Sequence, residues 1–565
     1  MEEKINGQLI QETLQGATLP ETISKIASFV CGEPGARRTF AILVCLGHAG
    51  RIEMFYEHEF DDSILPLYID KDDKVRTRSA ETRHVEATEN VFADDFWGDD
   101  ALPWMFCDHQ WQFLGPVFNK HQFRYSFCTE HRMPFLEQYG GQKESHFSTV
   151  GKWSIHQSHF EKSSRLRLSV DTHGHPIVAV KELKNVDMNG EEYERAAEAE
   201  AEVLQRIREI EHPHLIEAIA YYRKGDRYFI IFPWAGGGNL RDYWGKEPPR
   251  KLDADFVGWA LGQLCGLASA MNELHSTTED SSCRHGDLKP ENILCFEDTR
   301  SSDSIYQPFF VIADVGLAKV HTLATEMRNE ATRTMNGTVM YEPPEAVLLL
   351  TKKQPRSRRY DVWSIGCIYF EFLIWLLYGK AELLRFGEDI THPMNRTRQF
   401  FDVHGFGVTG AATIKPGVQK WMDWIRRDPR CPPNTAIRRL LELICTRLLV
   451  IEVSRPRSGS ASAQSSATLV HATDSPDNPT ITRSDTNSSF TETSADGLRY
   501  RATSSEMHGT LAGIVRDASG ISPAIAWMNW QADSPGGPGQ YGDTLGVSQL
   551  VRTFARSRLS LRDLG

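Results

Sequence analysis

The run Arg284 to Leu294, RHGDLKPENIL, gathers three residue types that phosphoryl chemistry needs at short spacing. Asp287 can accept a proton, Lys289 two residues on can direct a cation at a phosphate, and Asn292 five residues on can offer an oxygen to a metal ion. Twenty-two residues beyond Asn292 stands Asp314 in Asp314-Val315-Gly316, directly after the apolar stretch Phe309 to Ile312. A carboxylate at a strand end beside a flexible glycine suits Mg²⁺. Upstream, Val178-Ala179-Val180-Lys181 puts a lysine on a strand, and the helix-forming EEYERAAEAEAEVL follows. Downstream come GTVMYEPPE, Gly337 to Glu345, and DVWSIGCIYFEF, Asp361 to Phe372.

These residues need two kinds of scaffold. Pro176 to Val180 and Arg165 to Val170 read as strands, whereas Glu191 to Glu209 and Phe256 to His275 read as helices, so strands come first and helices later. In the second helix Phe256, Ala260, Leu264, Leu267, Met271 and Leu274 share one face and predict a core stripe. The expected fold is α+β and two-lobed. At 565 residues the length prior is roughly three to four domains, and 40% hydrophobic with 24% charged residues excludes a wholly disordered, collagen-like or coiled-coil chain.

The charge sum of 63 basic minus 75 acidic residues is −12, which lacks the footprint of a dedicated nucleic-acid binder. Between Arg51 and Asp100 there are 15 acidic against 6 basic side chains, an acidic band read as a solvated face. The start, MEEKINGQLI, has neither a basic nor an apolar segment of a leader, and ten scattered cysteines suggest no disulfide framework. A cytoplasmic protein is expected, with the nucleus also open. The apolar run Val362 to Tyr378 carries Glu371 and reads as a buried helix, so no membrane span is expected.

Three regimes divide the chain: an aromatic, acid-rich N-terminal accessory module at 1–149, a catalytic body at 150–475, and a Ser/Thr-rich then Gly/Pro-rich, mostly disordered tail at 476–565. Ser and Thr make up 21 of the 53 residues from Ser458 to Thr510, too little apolar surface to offset ordering entropy. In the first regime Cys107, His109, Cys128 and His131 could be read as zinc ligands. The Cys-x-His pairing is an uncommon zinc spacing, and buried thiols with surface histidines are the simpler reading.

In this order and spacing the motifs resemble the eukaryotic protein kinases, over roughly 300 residues in the middle of the chain. The resemblance implies a serine/threonine kinase that uses ATP and Mg²⁺ on a protein substrate. It implies that Asp287 is the base, Lys289 contacts the γ-phosphate, and Asn292 and Asp314 hold the metal. Lys181 would meet the α- and β-phosphates, with Glu200 orienting it; Glu198 and Glu202 are neighbours that a register error could substitute. Adenine would bond near Pro233 to Ala235, and because Pro233 lacks an N–H, Ala235 is the donor candidate. Glu345 would pair with Arg455 to close the activation segment, and Asp361 would hold the catalytic-loop backbone. The Lys289 of DLKPEN resembles serine/threonine and not tyrosine kinases.

Two departures stand out. The family's glycine-rich loop lies between its first two strands, and the stretch taken to correspond, WSIHQSHFEKSSR, has no glycine, with His156, Ser158 and His159 only partial substitutes. Gly286 stands where the family usually has Arg, so Thr332 or Thr334 need not be an activating switch. The first departure leaves a pseudokinase scaffold or interaction protein as the alternative reading. The N-terminal module, which weakly resembles accessory regions before kinase domains in filamentous fungal proteins, reads as a fixed partner of the small lobe or a recruitment surface for a regulatory partner.

Overall fold

A computed structural model describes residues 4–15, 20–93, 97–98, 101–145, 147–161, 166–185, 188–248, 252–276, 284–297, 307–315, 338–348, 357–394, 396–404, 411–451, 500–520 and 523–538. The chain forms two compact units, 1–197 with 218–234, and 198–217 with 235–565. The fold is α+β.

The first unit begins with helices α1 (Gly7–Leu14), α2 (Pro20–Cys31), α3 (Arg37–Cys45) and α4 (Ile52–Glu57), a ribbon of β1 (Leu67–Ile69) and β2 (Val75–Thr77), then α5 (Thr82–Val91) and α6 (Ala101–His109). Their apolar faces enclose one core that includes Ile10, Val30, Phe40, Phe55, Phe60 and Phe106. Phe55 meets Phe60, Phe92, Trp97 and Phe106 at centroid separations of 5.0 to 6.2 Å, so the aromatic density of this region makes a packed interior.

After this module come β3 (Arg124–Phe127), β4 (Phe135–Glu144), β5 (Ser148–Ile155), β6 (Ile177–Leu183), the helix α7 (Gly190–Ile210), β7 (Ala220–Lys224) and β8 (Arg227–Pro233). The strands form one sheet in the order β3-β7-β8-β6-β5-β4, antiparallel except for the β3–β7 pair. A boundary at 149/150 would therefore cut through β5 itself and separate most of it from its partner β4. The helical module ends near Gln112, and residues 124–155 belong to the sheet. Residues 166–169 form no strand, and Val170 makes only an isolated bridge with Pro176.

The second unit carries α8 (Leu240–Trp244), α9 (Ala254–Ser276), the ribbon of β9 (Ile293–Phe296) and β10 (Phe309–Ile312), α10 (Pro344–Leu348) and α11 (Arg359–Asp389). It continues with the ribbon β11 (Phe401–His404) and β12 (Ala411–Ile414), then α12 (Pro416–Arg427), α13 (Ala436–Leu443) and α14 (Ser504–Ala518). All six residues of the α9 stripe are buried. Helix α11 is long and apolar enough to cross a membrane, but 94% of its most apolar window is buried inside the protein, which makes it the core helix of this unit. It kinks at Gly379, where φ is +85°.

Helix α14 revises the expected tail. It packs along α9 and α13 and buries Met507, Leu511 and Ile514, each contributing about 1.5–3 kcal/mol by area. Arg439 pairs with Asp517 at 2.8 Å and Arg447 with Glu506 at 3.1 Å. The Ala436 N–H donates to the Ala526 carbonyl at 2.8 Å. Residues 500–520 and 523–538 thus belong to the folded body. The expectations for Ser458 to Thr493 and for residues 539–565 lie outside the described residues.

Candidate active site

The catalytic loop, residues 284–292, is shaped by a carboxylate from beneath. Asp361, in the first turn of α11 and fully buried, accepts from the His285 N–H at 2.9 Å, the Gly286 N–H at 2.8 Å and His275 Nε2 at 2.9 Å. Burial alone would raise its pKa; the His275 hydrogen bond, the charges of His275 and His285, and the Gly286 N–H outweigh it and hold the carboxyl below its ordinary value. The loop's second anchor is His285 Nε2, which donates to the Ala313 carbonyl at 2.8 Å, while Nδ1 faces the Asp287 N–H at 3.4 Å. Gly286 has φ +77°, a conformation a β-carbon would strain, so glycine suits this backbone.

On that frame Lys289 Nζ donates to Asp287 Oδ2 at 2.7 Å, with both side chains about one-fifth exposed. Asn292 Nδ2 donates to the Asp287 carbonyl at 2.8 Å, which leaves its amide oxygen for other work. The β9–β10 register sets Ile293 against Ile312, and the Ala313 N–H donates to the Asn292 carbonyl at 2.8 Å, so Asn292 and Asp314 emerge at one end of one ribbon. Asp314 has φ +56°, sparsely populated for a non-glycine residue and common where function fixes the backbone. One amide oxygen and one carboxylate are a donor set for a hard cation that keeps water and phosphate as further ligands, which fits Mg²⁺. They do not make a closed cage, and among the described residues no group of three or more His, Cys, Asp or Glu could hold a metal ion.

In the first unit, Lys181 sits in mid-β6, buried, with its Cα paired to Val150 on one side and Ile230 on the other. Of the three candidate glutamates on α7, Glu200 is buried, Glu198 half-buried and Glu202 exposed, which favours the expected register. Ala235, where the chain passes from the first unit to the second, is half-buried and accepts from the Gly238 N–H at 3.2 Å. The glycines after it have a local cause: Gly237 donates to the Cys295 carbonyl at 3.0 Å, and a β-carbon there would lie 2.8 Å from that oxygen.

The glycine-rich loop needs relocation. Residues 153–161 are the end of β5 and the turn after it, where His159 Nδ1 bonds the Pro116 carbonyl at 3.0 Å. The strands preceding the lysine strand are β4 and β5, joined at 145–147, about eight residues of strand away from His156. This turn is closed by Ser145, whose N–H donates to the Ser148 carbonyl at 2.8 Å and whose hydroxyl meets the Ser148 hydroxyl at 3.0 Å. Glycines occur only further along the strands, at Gly140, Gly141 and Gly151. The absence of glycine at the tip survives the correction; its location does not.

Glu345 also has a partner other than the expected one. Arg501 grips it with Nη1–Oε1 at 2.6 Å and Nη2–Oε2 at 3.0 Å, donates to the Arg359 carbonyl at 3.0 Å and the Val450 carbonyl at 3.0 Å, and lies 5.0 Å from the Trp363 ring centroid. Its side chain is 0% exposed. Arg455 lies outside the described residues, as do Thr332, Thr334 and Gly316. The resemblance implied Arg455 as this partner, whereas the residue that reaches Glu345 is Arg501, 46 positions further on. A signal was present: Thr503-x-x-Glu506 before Met507, Leu511 and Ile514 is a capping box opening an amphipathic helix, and both of its hydrogen bonds form.

The zinc reading has no geometric support. Cys107 is buried, its thiol pushed up to about 12 by desolvation, and His109 Nδ1 bonds the Met105 carbonyl at 2.9 Å. Cys128 and His131 touch at 3.1 Å, with the His131 ring packed on Trp111 and Phe127.

Residues 162–398 match the protein kinase domain family. A calcium/calmodulin-dependent protein kinase of Metarhizium anisopliae is 28% identical over 209 residues, 37% of this chain and 47% of that protein. The calcium/calmodulin-dependent protein kinase cmkA of Emericella nidulans is 30% identical over 199 residues, 35% of this chain and 41% of that protein. The serine/threonine-protein kinase ULK3 of Xenopus laevis is 29% identical over 205 residues, 36% and 37% of the two chains. The chain spans less than half the length of these relatives. The family match starts after β5, so the β4–β5 hairpin lies outside it.

Proposed function

We propose, from the premise that the central domain of this chain belongs to the eukaryotic protein kinase family, that it is a serine/threonine protein kinase transferring the ATP γ-phosphoryl group to a protein hydroxyl. The arrangement of Asp287, Lys289 and Asn292 on the Asp361-held loop carries the reading. Asp287 takes the proton of the acceptor hydroxyl as its oxygen bonds to phosphorus, and the leaving diphosphate oxygen departs on the opposite side. Lys289, 2.7 Å from Asp287 Oδ2, neutralises phosphate charge. In this reading Lys181 is the partner for the other phosphates, and the Ala235 N–H the adenine donor. Asn292 and Asp314 would hold Mg²⁺, which supplies charge stabilisation to the phosphates when bound.

The glycine-free turn at Ser145 favours a second reading, a pseudokinase whose output is assembly, because side chains there keep the main chain further from a phosphate. Thermal shift with ATP, with and without Mg²⁺, followed by label transfer from ATP to a generic protein substrate separates the two. The kinase reading expects a metal-dependent shift and transfer; a shift without transfer in any metal leaves the scaffold.

A further inference from the structure

Away from the catalytic loop, the second unit holds a cavity of about 540 Å³ between the start of α9 and the chain that follows α14. One wall is a single face of α9, where Asp255, Gly258 and Trp259 stand at helical spacing i, i+3 and i+4. The other wall carries Trp527 and Trp530. Trp527 lies against Gly258, where a β-carbon would meet its ring at 3.3 Å, and Trp530 is 42% exposed. Trp259 is held by Phe256, Phe310 and Tyr243 at ring-centroid separations of 5.1, 5.6 and 6.1 Å.

The second wall is fixed by main-chain bonds. The Ala436 and Ile437 N–H groups donate to the Ala526 and Trp527 carbonyls at 2.8 and 3.2 Å, and the Asn529 N–H donates to the Arg430 carbonyl at 2.7 Å. Asn529 Nδ2 adds a bond to the Pro429 carbonyl at 3.1 Å. A cavity built this way needs little ordering when a ligand enters, so more of the contact energy appears as affinity. Its volume falls within the about 300–1,000 Å³ of ligand pockets.

Charge selects the class of ligand. Asp255 is exposed and makes no hydrogen bond or ion pair among the described residues, and no described Lys, Arg or His lines the cavity. The start of α9 and the end of α14 bring opposite partial charges that largely offset. The carboxylate and the indole faces therefore set the sign, and both attract a cation. Acceptors decide which cation. An ammonium brings three N–H donors and a guanidinium five. The lining side chains offer the Asp255 carboxylate and the Ser519 hydroxyl, which already bonds the Val515 carbonyl at 2.7 Å, and the Ala526 and Trp527 carbonyls are taken. A methylated ammonium keeps its charge and brings few or no donors to satisfy. One such head group fills only part of the cavity, which leaves room for the stem and flanking residues of a peptide lysine.

We propose that this cavity is a receptor for a methylated lysine on an extended peptide, with Trp259, Trp527 and Trp530 as its aromatic faces and Asp255 as its counter-charge. The site stands apart from phosphoryl transfer and recruits a methylated protein to the chain.

The test is fluorescence anisotropy on the full chain with labelled Ala/Ser heptapeptides that differ only at the central residue: lysine, trimethyl-lysine, or the neutral tert-butyl analogue of the same shape. The trimethyl-lysine peptide binds about tenfold more tightly than either of the others. Trp530→Ala brings the three within about twofold, Trp530→Phe keeps part of the preference, and Asp255→Asn lowers it about threefold. Should Trp530→Ala melt early, Asp255→Lys replaces it, and the cation placed beside the indoles abolishes the preference. Equal binding of the charged and neutral peptides, no binding of any of the three, or a preference that survives these variants overturns the proposal. Choline, a free source of the same head group, is the last arm. It displaces the trimethyl-lysine peptide only at about a hundredfold excess, and displacement at equal concentration removes the peptide as carrier and overturns the proposal.

Discussion

The catalytic loop and the β4–β5 hairpin are held by different forces. In the loop, the His285 and Gly286 amides, His275 and the Ala313 carbonyl are fixed by hydrogen bonds to or from buried side chains, so residue type is dictated position by position. In the hairpin, β5 is fixed by main-chain ladders to β4 and β6, and its tip by a pair of serines. Side-chain-determined structure leaves a motif in the sequence. Backbone-determined structure tolerates exchange of residues, which is how a kinase domain can carry a loop matched at Asp287, Lys289 and Asn292 and a hairpin with no family signature.

Breaking the buried side-chain hydrogen bonds of the second unit should cost most. Arg501→Ala leaves Glu345 and two carbonyls without their buried cation and should destabilise the fold by about 3–5 kcal/mol in denaturant unfolding, whereas Arg455→Ala should change it by less than about 0.5 kcal/mol. Equal losses at both positions would refute the assignment of residues 500–518 to the core. Asp361→Asn comes next, at about 2–3 kcal/mol near neutral pH, because one of its accepting oxygens becomes a donor facing N–H groups. Its pH signature has a definite sign. The folded pKa lies below the ordinary 3.8, so the carboxylate's contribution is complete above that value and fades as pH falls below it. The gap between wild type and Asp361→Asn should therefore be constant from pH 5 to 8 and narrow only in strong acid; a gap that closes near pH 6 would assign the charge to a histidine instead.

The hairpin side of the comparison predicts smaller effects. Ser145→Gly with Ser148→Gly opens the tip to closer backbone approach and should tighten Mg-ATP binding about threefold by calorimetry. No change, or weaker binding, would show that the tip does not cover phosphate. His156→Ala, at the far end of β5, should leave that affinity within about twofold.

Much of the site was legible because its residues touch one another through short-range chemistry. Asp287, Lys289, Asn292 and Asp314 follow from spacing within a loop and one ribbon, and Asp361 and Glu345 from adjacent motifs. The core stripe of α9 followed from helical period alone. What was illegible depended on long-range pairing: β3 joins the sheet parallel to β7, almost a hundred residues on, and nothing in RYSF announces that partner. The glycine-rich loop was misplaced by about ten residues because its tip offers serines where glycines would mark it. Arg501 was missed because the Ser/Thr-rich composition before it signals the end of folded structure, and the capping box that reopens the core is a weak local cue.

The central claim is that Asp287 accepts a proton in phosphoryl transfer. Single-turnover label transfer from ATP to a generic protein substrate, with Mg²⁺ in excess, compares the wild type with Asp287→Asn at matched thermal stability. The account predicts transfer by the wild type and a rate lower by at least about 10²–10³ in the variant, the range general-base loss produces. Equal rates in the two proteins, or no transfer by a wild type that binds Mg-ATP, would contradict it.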